Sequence, residues 1–101
     1  MSEAVIEFSI YAGTDKAFVV STDIYEKEDG PKVLVFNCLD NSLFEIYGPA
    51  VDSWKLLGKG QTFNQIAVNL SFQYNVPVEI ISQEMRTFFT KLLKLKIISE
   101  K

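Results

Sequence analysis

Few side chains in this sequence could do covalent chemistry. There is no histidine, and the single cysteine, Cys38, lies in the apolar run KVLVFNCL at 32–39. A thiol with no histidine to take its proton is a poorly activated nucleophile, and one thiolate cannot complete the four-ligand shell of a zinc site. Cys38 therefore reads as a small, buried apolar side chain. Glu84, beside Met85 and Phe88, reads as a structural hydrogen-bond acceptor rather than a general base. No glycine-rich phosphate loop or nucleophile motif is present. The sequence thus points to no catalytic residue, no metal and no cofactor. The chemistry that remains is recognition through backbone and apolar surface. In LFEIY at 43–47, Phe44 and Ile46 fall on one face at period two, and Leu43, Glu45 and Tyr47 on the other. Gly48-Pro49 closes this strand and opens a helix, because Pro at the first helical position lacks only an N–H that would be unsatisfied there.

The elements that must hold this strand follow from periodicity. The first helix places Ala50, Trp54 and Leu57 on one stripe, so the only tryptophan reads as a core anchor. Gly58-Lys59-Gly60 breaks it. Thr62 and Gln65 form a capping box for a second helix, with Phe63, Ile66, Ala67, Leu70 and Tyr74 as its core stripe, Asn75 as its C-cap and Pro77 as a stop. A third helix runs from about Val78 to about Leu95. Glu79 in its first turn and Lys91 and Lys94 near its end suit the helix dipole. Its core stripe is Ile81, Met85, Phe88, Leu92 and Leu95, and Ile97 and Ile98 tuck the C-terminus back.

Upstream, residues 4–11 alternate with Ile6, Phe8 and Ile10 on one face and suggest a strand. Ala12-Gly13-Thr14-Asp15 follows as a turn signal. Residues 17–26 read as another strand, 26–31 as a polar loop, 32–39 as a central strand and Asp40-Asn41 as a tight turn. The 43–47 strand then returns antiparallel and forms an edge. The expectation is one α+β domain over 1–101. It holds an antiparallel β-meander followed by three helices, with residues 1–20 an extension that adds a strand.

Composition agrees. A chain of 101 residues that is 48% hydrophobic, with eight Phe, can pack a core without disulfides. One cysteine, no apolar run of about 20 residues and no signal-peptide plan make the expected setting cytoplasmic and free of membrane. Residues 1–52 carry ten acids against three bases, and residues 53–101 three acids against seven bases. The net charge of −3 argues against nucleic acid, while the basic half suits an acidic peptide.

From Thr22 to Ile98 the order of motifs resembles the PqqD-like family, also called RiPP recognition elements. That pattern is a meander ending in Leu-Asn, a helix with Trp, a Gly-x-x-Thr link, Tyr-x-Val before a long helix, and a Gly-Leu-Leu-like tail. Here Ile46-Tyr47 stands for Leu-Asn, and Trp54 keeps its spacing. Gly58 to Thr62 forms the link, and Tyr74-Asn75-Val76 precedes the long helix. Glu84 stands where Asp is common, Phe88 and Leu92 match, and Lys96-Ile97-Ile98 forms the tail. Two departures stand out. Tyr47 replaces Asn, so Gly48 or another bond must hold the corner. Lys96 replaces Gly, at about 1 kcal/mol if left-handed. The resemblance implies a fold similar to winged helix-turn-helix domains. It also implies a non-catalytic peptide chaperone, which captures the leader of a ribosomally made precursor by strand addition and presents it to a modifying enzyme. Such an enzyme would be a radical-SAM maturase, a leader peptidase/cyclase or another modifying enzyme in natural-product or PQQ-type biosynthesis.

On that reading the peptide-binding residues are Leu43, Phe44, Glu45, Ile46 and Tyr47. Phe89 and Leu93 floor a groove, Thr90 lies on its margin, and Arg86 or Lys94 meets a leader carboxylate. The competing placement buries Phe89 and Leu93 against the first helix. Val68 and Phe72, i,i+4 on the second helix and off its core stripe, suggest a docking surface for the enzyme or for a second copy in a homodimer, unless the N-terminal strands cover them. The alternative function is a winged-helix DNA-binding protein with Arg86, Lys91 and Lys94 on the recognition helix. Base readout wants Arg, Asn or Gln near that helix's start, where this chain carries Glu79.

Overall fold

The computed structural model describes residues 15–101. The strand expected at 4–11 and most of the turn after it lie outside the described residues. Eight elements follow in order: β1 (Phe18–Val20), β2 (Ile24–Asp29), β3 (Lys32–Asn37), β4 (Ser42–Ile46), α1 (Pro49–Gly58), α2 (Phe63–Tyr74), α3 (Val78–Lys94) and β5 (Ile98–Glu100). The expected α+β plan of a meander followed by three helices is present.

The meander is a three-stranded antiparallel sheet in the order β2-β3-β4. Val33 and Val35 of β3 and Ile46 of β4 point from one face of it into the core. Its turns use the residues the chain supplies. Gly30 takes φ +64° between β2 and β3, and Asn41 takes φ +59° between β3 and β4. The Asp40 Oδ1 accepts from the Ser42 N–H at 3.0 Å within that second turn.

Three strand expectations are corrected. Residues 17–26 are not one strand, because the Asp23 N–H turns back to the Ser21 hydroxyl and the Ile24 N–H to the Ser21 carbonyl. β1 is thereby freed to pair with β5, which joins the start of the described chain to its end. The supposed loop at 26–31 is mostly strand. The central strand stops at Asn37, whose buried amide donates to the Leu95 carbonyl and accepts from the Leu39 N–H. Cys38 then falls in the turn and is exposed, not buried.

The helices follow their capping signals closely, but Tyr74, expected on the core stripe of α2, is exposed. Thr62 and Gln65 form the reciprocal capping box, and Asn75 is left-handed at the C-cap of α2. The Tyr74 hydroxyl donates to Asp52, tying the end of α2 to α1, and this bond holds the phenol above the ordinary tyrosine pKa. α1 and α3 both end in Schellman motifs. Gln61 N–H bonds the Leu56 carbonyl and Gly60 N–H that of Leu57; Ile97 and Lys96 do the same with Leu92 and Leu93. Gly60 takes the left-handed position at φ +88°, but at α3 it is Lys96, at φ +60°. Ile97 and Leu92 are both fully buried, so the apolar contact of the motif compensates for that strain.

Lys96→Gly should raise the unfolding free energy by about 1 kcal/mol, read from the urea midpoint; a loss of stability would show that the lysine side chain supports the tail.

Candidate peptide-binding site

β4 has one strand partner, β3, among the described residues. Its other side therefore carries backbone N–H and C=O groups with no strand to pair them. Alternation sends Phe44 and Ile46 toward the helices, while Leu43 and Glu45 face outward, with Leu43 60% exposed. β2 is the other edge of the sheet. Its Glu26 accepts from the Trp54 indole N–H, which pins β2 to α1 and seals Trp54 in the core.

α3 reaches β4 at the Phe44 ring. The Lys91 ammonium stands 5.6 Å from the centre of the Phe44 ring, within cation–π range. At the end of β4, a cleft of about 180 Å³ opens between Tyr47, Ala50 and Ser53 on one side and Glu84, Met85 and Phe88 on the other. Glu84, Phe88 and Lys91 recur at helical spacing and so share one margin of α3. Gly48, at φ +59°, makes the corner that carries the chain from β4 into α1 without an Asn.

This placement corrects the expected groove. Phe89 is completely buried. Its ring meets Phe18 of β1 at 5.3 Å and Phe63 of α2 at 5.4 Å, both edge-on. It cannot floor a surface groove, and its ring packs on those of β1 and α2 within the core that α1 shares. Arg86 and Leu93 are spaced i−3 and i+4 from Phe89 and belong to that margin, turned from β4; Thr90 lies beyond it. All three are half-buried, and Leu93 packs against the core. Lys94 is exposed one turn beyond Lys91. Phe88, assigned to the core stripe, is only half-buried and lines the cleft. The two adjacent phenylalanines have exchanged roles. Glu84, read as structural, is exposed at the cleft.

Val68 and Phe72 are exposed, Phe72 at 85%, and border a depression with Asn64, Ser71 and Val78; the N-terminal residues that were the alternative cover for them lie outside the described residues. Near the start of the same helix, Asp15 accepts from the Thr62 hydroxyl and the Asn64 N–H. No helix of the described residues is long and apolar enough to cross a membrane.

No family model and no curated protein matches the chain. Among solved structures, it is similar to TbiB1 in complex with the TbiA(beta) leader peptide. The TM-score is 0.75 at 16% identity, over 79% of this chain and 93% of that one. At that identity the likeness carries the fold alone, and not membership of the PqqD-like family.

Phe89→Ala should cost about 3–5 kcal/mol of stability by chemical denaturation; a cost below about 1 kcal/mol would contradict its place between Phe18 and Phe63.

Proposed function

We propose that this chain is a non-catalytic module that captures the leader segment of a ribosomally made precursor peptide and holds it for a modifying enzyme. The observation that carries this reading is the open side of β4, with Lys91 of α3 over its Phe44 and the Glu84–Met85–Phe88 cleft at its end. Strand addition needs free main-chain groups on one partner and pockets for alternate side chains. The leader adds as a fourth strand beside Leu43, Phe44, Glu45, Ile46 and Tyr47. Its inward side chains enter the space between β4 and α3. Phe88 and Met85 give an apolar contact there, and Lys91 sets a positive charge at the rim. The likeness to a solved structure that holds a leader peptide supports the same reading.

The enzyme, a radical-SAM maturase or a leader peptidase/cyclase, docks on Val68 and Phe72. This pair lies on α2, outside the β4–α3 space, so one partner need not displace the other. An exposed apolar pair of this kind is a normal mark of a protein contact.

The test uses the leader half of a short precursor encoded beside this chain, with affinity measured by calorimetry. Phe88→Ala should weaken leader binding about tenfold, while Phe72→Ala should spare it and weaken capture of the co-encoded enzyme. Salt-sensitive duplex DNA binding with no leader binding would overturn the proposal in favour of a winged-helix DNA-binding protein.

A further inference from the structure

The outer face of the sheet, away from the helices, is also apolar at one level. The strand register sets Tyr25 of β2 opposite Phe36 of β3, and Phe36 opposite Leu43 of β4. The row thus crosses all three strands and ends on the exposed Leu43 at the open edge. Tyr25 is 66% exposed and Phe36 is half-buried. Two residues further along β4, the next row runs Lys27, Leu34, Glu45. Glu45 already takes the Lys32 ammonium at 3.0 Å and keeps its side chain 39% exposed.

A strand added to β4 must therefore be read on both faces. Directly opposed side chains on one face interact, and like charges opposite each other repel. We infer that the β4 edge selects a peptide strand that is apolar opposite Leu43, free of acid opposite Glu45 and apolar opposite Ile46. The first two positions are sensed on the outer face of the sheet, and the third on the helix side. This rests on the proposed capture of a leader by strand addition, and it names the kind of leader. An ordinary amphipathic strand, with one wholly polar face, is rejected. The Tyr25–Phe36–Leu43 row explains why: a polar side chain placed opposite Leu43 leaves the end of that row uncovered, whereas an apolar one extends it.

The experiment is a display selection of random dodecapeptides against the full chain, followed by backbone amide NMR of the selected peptides on the 15N-labelled protein. The expected result is peptides that move the β4 amides and share the pattern of an apolar residue, any residue, a neutral or basic residue and an apolar residue, in either chain direction. Leu43→Ser should weaken those peptides about threefold to fivefold. Glu45→Lys should reverse the charge preference, so that acid at the third position becomes favoured; Glu45→Gln should abolish the preference without reversing it. Peptides that move β4 but show no preference at the two outward positions, with Glu45→Lys selecting the same sequences, would overturn this inference and leave strand capture standing. Failure of every selected peptide to move β4 would overturn both.

Discussion

The geometry of the site depends on one aromatic contact, Phe89 held edge-on between Phe18 and Phe63. Each ring comes from a different element, so the contact joins the first described strand, the second helix and the third. Edge-to-face pairs of buried rings are worth about 0.5–1.5 kcal/mol each beyond the area they bury. Their larger effect here is rotational. Once Phe89 turns toward β1 and α2, the helical repeat turns Phe88 and Lys91 toward β4. The side of α3 presented to the open strand is therefore decided in the core.

The rest of the fold keeps that strand's position fixed. β3 covers one side of β4, and the Gly48-Pro49 corner ties its end to α1. Hydrogen bonds anchor the sheet to the helices. Glu26 takes the Trp54 indole N–H, and Asn37 reaches the carbonyl of Leu95 at the end of α3. Pairing of β1 with β5 closes the far side. An exposed strand edge usually risks aggregation. Here its outward side chains include Glu45 and its neighbour Lys91 is charged, which tempers that risk while leaving the main chain accessible.

Much of this was legible in the sequence because it is local. The Thr62–Gln65 box, the left-handed Asn75, the Pro49 start and the strained Lys96 are each set by residues within one turn of themselves. What was not legible depends on contacts far along the chain. Two adjacent phenylalanines both fit a broad apolar stripe, and only Phe18 and Phe63 decide that Phe89 is the buried one. Cys38 continues an apolar run, but the run stops because Asn37 is claimed by Leu95, 58 residues away. The pairing of three-residue strands at the two ends of the described chain leaves almost no periodic signal. The Trp54–Glu26 bond was hidden because an acid in a polar stretch reads as solvated.

The central claim is that the unpaired side of β4 receives an extended peptide. Amide hydrogen exchange, resolved by residue with and without a saturating bound leader, tests it directly. The account predicts that leader binding slows exchange in alternate residues of β4, those whose N–H groups point away from β3, with smaller changes in α3 around Phe88. Unchanged exchange throughout β4, with new protection only on α2 or on the Arg86–Leu93 margin of α3, would contradict it.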